Sequence, residues 1–139
     1  MPRFAELTPG MKAETSRTVT EADVVLFAGV TGDTNPVHMD EVAASRSRFG
    51  GRIAHGMLTA GHVSAVIGMK LPGPGAIYME QSLRFTRPVH IGDTVTSTVE
   101  VMEVDPRLRR VRLKTTCTNQ QSKVVLEGEA LVLVPEEAS

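Results

Sequence analysis

The sequence predicts an α+β domain in which a long antiparallel sheet curls around one buried helix. Three observations carry that reading. Residues 54–70 are rich in Ala, Gly, Met, Val, Leu and Ile, with no acid, Lys or Arg before Lys70. From residue 76 onward the hydrophobic period falls to two, the spacing of strands. The separators between these later segments are short, so successive strands pair antiparallel, and segregated runs of helix and strand mark α+β.

The elements follow in order. Residues 13–19 form an opening strand, though their alternation is weak. Thr20 stands at an N-cap with Asp23 three residues on, a capping box built with a shorter acid. Val24, Val25, Phe27 and Ala28 continue that helix and Gly29 to Gly32 end it. Asn35-Pro36 breaks the chain, because proline disfavours helical geometry in the residue before it. Asp40 to Arg46 resumes as a short helix that closes at Gly50-Gly51. The next helix, within 54–70, is apolar nearly all round and wants burial on most of its circumference. Gly56, Gly61 and Gly68 each lower its intrinsic helicity by roughly 1 kcal/mol relative to Ala, so packing must hold it. Leu71-Pro72-Gly73-Pro74-Gly75 terminates it. Strands are expected over 76–86, 94–105, 108–119 and 123–134.

With 139 residues and 15.0 kDa, residues 1–139 are expected to form a single domain. Fifteen basic against sixteen acidic residues leave a net charge of −1, which excludes a bulk electrostatic binder of nucleic acid or of a membrane surface. Four Phe, one Tyr and no Trp leave few platforms for stacking bases. The single cysteine, Cys117, excludes an internal disulfide framework and suits a reducing compartment. No apolar stretch reaches the ~18 residues of a membrane span, and the first residues lack the pattern of a signal peptide. A soluble, cytoplasmic protein is expected.

The densest chemical signal runs from Phe27 to His38 and contains Gly32-Asp33-Thr34-Asn35-Pro36-Val37-His38. In a continuous helix, residues five apart point about 140° away from each other. The break at Asn35-Pro36 frees Asp33 and His38 to converge. A carboxylate and an imidazole sharing one water form a general acid–base pair. The plainer alternative is that Asp33 caps a turn and His38 caps the next helix. A second segment, Ala54-His55-Gly56-Met57-Leu58, opens the buried helix. A helix N-terminus presents unpaired N–H groups and the positive end of the dipole, and Gly56 lets a ligand approach its backbone closely. Such a donor suits an enolate-like thioester oxygen, although tight packing against the sheet also asks for glycine.

Together these residues resemble the signature of the MaoC-like (R)-specific enoyl-CoA hydratases, the hot-dog-fold enzymes known as hydratase 2. The resemblance extends through Pro72 to Tyr78, Gln81-Ser82-Leu83-Arg84-Phe85 and Pro88 to Asp93. It implies that Asp33 and His38 are the catalytic dyad, that Asn35 orients the dyad or contacts substrate, and that the Gly56 N–H binds the thioester oxygen. Ser64 would help shape the same site from further along the helix. The implied reaction is reversible syn hydration of a trans-2-enoyl-CoA to the (3R)-3-hydroxyacyl-CoA, with no cofactor. A 3-hydroxyacyl-carrier-protein dehydratase or a non-catalytic acyl-CoA-binding subunit are the alternatives, the latter disfavoured because Asp33 and His38 are both present. Hydrolysis is disfavoured too, since thioesterases of this fold usually carry an acid on the central helix and residues 56–69 hold none.

The remaining candidates are weaker. Met57, Leu58 and Met79 suit an adaptable acyl pocket. Gly61 and His62 stand where bulkier apolar residues are expected; the glycine would deepen the pocket and the histidine would block it. Arg84 and Arg87 are candidates for the coenzyme A phosphates. The run Arg107, Arg109, Arg110, Arg112 and Lys114 reads chiefly as a solvated sheet face. No metal is expected, because no His pair has the spacing of a His-Glu-x-x-His site and one Cys makes no zinc cluster. Cys117 lacks any neighbour that would activate it as a nucleophile. The open edge of a curled sheet in so small a unit, with the family resemblance, implies a homodimer or a higher homo-oligomer.

Overall fold

The computed structural model describes residues 4–136. After a 3-10 turn at Phe4–Glu6, strand β1 covers Lys12–Thr18 and helix α1 covers Glu21–Thr31. Two short helices follow, α2 at Pro36–Met39 and α3 at Glu41–Ser45, and then the central helix α4 at Gly56–Met69. The rest is strand: β2 Ile77–Gln81, β3 Arg84–Phe85, β4 Thr94–Asp105, β5 Arg110–Thr118 and β6 Val124–Leu133. The sheet is antiparallel in the order β1-β4-β5-β6-β2, with β3 also pairing β6.

Alternation places Val95, Val99 and Val101 of β4 and Val111 and Leu113 of β5 on the face toward α4, all fully buried. Leu126 and Val132 of β6 join them, and Val63, Val66 and Ile67 of α4 close the core from the other side. Each such side chain contributes roughly 1.5–3 kcal/mol when fully buried, which overrides the weak helicity of a Gly-rich segment. Cys117 lies in this core. Burial pushes its thiol up, partly opposed by the Ser97 hydroxyl beside it. Alkylation by iodoacetamide at neutral pH is therefore expected only on unfolding; comparable labelling rates with and without denaturant would refute that.

Several boundaries differ from the expectation for physical reasons. The capping box forms, with Asp23 N–H donating to Thr20 Oγ1 and Thr20 N–H to Asp23 Oδ2. Helix α1 runs through Gly29 and stops at Gly32, whose φ of 81° is open to glycine without strain. Pro36 at the first position of α2 turns the expected break into a short helix, since a missing N–H is harmless there. The segment 76–86 is two strands. At Ser82 the chain leaves the β2 register, its N–H donating to Glu129 O while its Oγ accepts from Glu129 N–H. Helix α4 is covered by the sheet on one side only; Met57, Gly61, Ser64 and Met69 are exposed in the single chain.

Candidate active site

The Asp33–His38 segment is built from local hydrogen bonds. Thr31 Oγ1 donates to Phe27 O and accepts the Asp33 N–H, fixing where the acid leaves α1. Asp33 Oδ1 accepts the Asn35 N–H at 3.2 Å, and Asn35 Oδ1 accepts the Val37 N–H at 3.2 Å to cap α2. Asp33 does brace a turn with one oxygen, as the plainer reading holds. His38 does not cap α3, because Asp40 does that through the Val42 and Ala43 N–H groups. The His38 ring turns inward, is 9% exposed, and bonds Ile53 O through Nδ1 at 2.7 Å. A carbonyl only accepts, so Nδ1 carries the hydrogen and Nε2 keeps a free lone pair.

The loop 52–54 holds this arrangement from below. Arg52 Nε donates to His38 O at 2.6 Å and its Nη1 to Glu21 Oε1 at 2.8 Å, tying α2 to the first turn of α1. Ile53 N–H donates to Val37 O and Ala54 N–H to Val89 O. His55 is 2% exposed, and its ring lies 3.9 Å from the His38 ring at 28° and 4.8 Å from Phe27. Its Nε2–H donates to the backbone oxygen of Asp33 at 2.8 Å.

Asp33, His38 and His55 each bring one carboxylate oxygen or ring nitrogen within 4.8 Å of the others. One water with two hydrogen bonds of about 2.8 Å spans roughly that distance between an acid and an imidazole. A metal is less well served. The two rings are stacked nearly parallel, so a cation in the plane of one lies out of the plane of the other, whereas zinc needs convergent lone pairs.

These groups open into a cleft of about 630 Å³ lined by Phe27, Asp33, His38, Phe49, Gly56 and Phe85, among others. Gly56 is the first residue of α4, and no side chain caps that terminus. A Cβ on Gly56 would stand 2.7 Å from Phe85 Cε1, so close packing against that ring favours glycine there. Met57 and Arg87 also line the cleft, together with Arg48, which sequence reasoning missed. Arg48 is close enough to Phe49 for a cation–π contact, a pairing visible only as two adjacent residues in the sequence.

Other sequence candidates lie elsewhere. Leu58 packs against the core, while Ser64, Met79 and Arg84 are exposed outside the cleft lining. Asn35 meets Asp33 through its backbone N–H and caps α2 through its Oδ1, and it is outside the cleft lining. Gly61 and His62 are not among the residues that line the cleft. A Cβ on Gly61 would meet nothing within 4 Å, and His62 sits near Arg17 and Asp23. Burial first, and then Arg17, hold His62 below the usual imidazole range, with Asp23 opposing. Arg112 pairs with Glu103 and Glu129 on the outer sheet face, as a solvated face should.

Residues 4–125 match the family described as MaoC like domain. An (R)-specific enoyl-CoA hydratase of Rhodospirillum rubrum is 53% identical over 95% of this chain and 91% of its own length. A 3-hydroxybutyryl-CoA dehydratase of Methylorubrum extorquens is 51% identical over 96% of this chain and 84% of its own. Among solved structures, an unliganded R-hydratase from Pseudomonas aeruginosa superimposes with a TM-score of 0.92 at 50% identity, covering 96% of this chain and 86% of that one. The chain therefore belongs to the MaoC-like family and has the hot-dog fold.

Proposed function

We propose that the protein is an (R)-specific enoyl-CoA hydratase, adding water reversibly and syn across a trans-2-enoyl-CoA to give the (3R)-3-hydroxyacyl-CoA. The observation that carries the reading is the Asp33 carboxylate and His38 ring, no more than 4.8 Å apart at one cleft. His38 Nε2 and the carboxylate are both acceptors, so a water between them donates one hydrogen to each. As its oxygen adds to C3, one proton passes to the pair and one is returned to C2, which balances the addition. Both arrive from the side of the dyad, which gives syn geometry. The Gly56 N–H, at an uncapped helix terminus, faces the negative charge that develops on the thioester oxygen. The apolar lining from Phe27, Phe49, Met57 and Phe85 receives the acyl group, and Arg87, whose Nη1 donates to Val124 O, keeps its other N–H groups for a coenzyme A phosphate.

We assign the active form as a cytoplasmic homodimer. Ile77, Tyr78 and Met79 on the terminal strand β2 and Met57 and Met69 on α4 are exposed apolar side chains. An edge and a helix face of this kind are ordinarily covered by another chain.

The test follows loss of the conjugated thioester absorbance of crotonyl-CoA, without added metal or cofactor, and offers the product to stereospecific 3-hydroxyacyl-CoA dehydrogenases. Rapid loss with a (3R) product is expected. Activity only on carrier-protein thioesters would favour a second reading. That reading has support in a mitochondrial 3-hydroxyacyl-[acyl-carrier-protein] dehydratase of Arabidopsis thaliana, 33% identical over 86% of this chain. Gly56→Ala is expected to fold, because the half-exposed Phe85 ring can swing aside. It should lower kcat/KM roughly tenfold by crowding the oxyanion donor; an unchanged kcat/KM would remove Gly56 from the site.

A further inference from the structure

Among the groups near the cleft, His55 stands out because its ring is fully buried and only half satisfied. Its Nε2–H bonds the Asp33 carbonyl, while its Nδ1 is buried with no hydrogen-bond partner. A side chain there to fill space would be served by an apolar ring, which leaves no polar atom stranded. Any ring would set a flat face against His38; what the imidazole adds is the donor to Asp33 O, across 22 residues of sequence. We propose that His55 is a positioning residue for the dyad, setting the backbone of Asp33 with Nε2–H and the plane of the His38 ring by stacking. It thereby holds the carboxylate and the imidazole at the separation one water bridges.

The groups around it support that role. Asp33 and His38 face it from the cleft side and Phe27 packs against its ring from α1. The nearby cation Arg52 is committed to His38 O and Glu21. His38 itself is held at Nδ1 by Ile53 O. Rotation of its ring is limited by that bond and by the His55 face, and the Asp33 backbone is held by the Thr31 hydroxyl and by His55. The single side chain of His55 thus contacts both members of the dyad.

The proposal rests on the dyad reading above, and two variants separate its parts. His55→Gln places an amide N–H near the position of Nε2 and removes the ring. His55→Phe keeps a ring against His38 and removes the donor. Full-length variants are assayed with crotonyl-CoA for kcat and KM separately, with the folded fraction read by circular dichroism. His55→Phe is expected to lower kcat by roughly 10²-fold, the effect of a misplacement near 1 Å, with KM within about twofold and the fold intact. His55→Gln is expected to recover at least roughly tenfold of that loss. Wild-type kcat in His55→Phe, or losses in both variants that merely track the unfolded fraction, would overturn the proposal. If Asp33→Asn also kept full activity, the dyad reading itself would fail, and the two failures are thus distinguishable.

Discussion

Asp33→Asn and His38→Ala are each expected to lower turnover by roughly 10²-fold or more, the usual contribution of a general acid–base group. The two changes act differently on the same water. Asp33→Asn keeps a side-chain oxygen to accept the Asn35 N–H, so the turn after α1 survives, but an amide neither takes nor returns a proton. His38→Ala removes the free Nε2 together with the Nδ1 bond to Ile53 O and the stack on His55. Part of its effect therefore falls on stability, and His38→Asn, whose amide can still donate to Ile53 O, isolates the chemical loss. Steady-state kinetics on folded protein check both. Near wild-type kcat in Asp33→Asn or His38→Asn would show that the water is activated elsewhere.

The largest expected effect on stability comes from a residue remote from the chemistry. Gly128→Ala would set a Cβ 1.9 Å from Ser82 O, inside the backbone of the chain crossing β6. Unlike the Phe85 ring over Gly56, that carbonyl cannot swing away. Its residue is fixed by the Ser82 N–H to Glu129 O bond and by Glu129 N–H to Ser82 Oγ. The strands must part, at a cost of roughly 2–3 kcal/mol or more. For a chain of this size that is a fall of roughly 5–10 °C in Tm. A melt within about 1 °C of wild type would mean that the crossing is looser than described.

What was legible in the sequence was local. The Thr20–Asp23 capping box and the convergence of Asp33 with His38 depend on residues within a few positions of one another, and the structure builds both, while the expected break at Asn35-Pro36 is the start of a short helix. Strand positions from 94 onward were legible because one buried face imposes period two. The roles of His55 and Arg52 were not. Their partners are carbonyls of residues 22 and 14 positions away, and carbonyls leave no mark in sequence. Nor could the sequence separate Arg84 from Arg87, since only the path of the chain after the short strand β3 brings Arg87 and not Arg84 to the cleft. The expected burial of α4 on most of its circumference is met on one side only in the single chain, where Met57 and Met69 stay exposed. Nor could spacing separate the two reasons for glycine at position 56, since packing and ligand access require the same absent side chain.

The central claim, one water delivered by one dyad from one side, is tested most directly by hydrating crotonyl-CoA in D2O and reading the product by NMR. The account predicts a (3R)-3-hydroxybutyryl-CoA with a single deuterium at C2 on the face that received the oxygen. Deuterium on the opposite face would contradict it, because groups on both sides of the double bond would then be required, and a (3S) product would contradict the proposed face of addition.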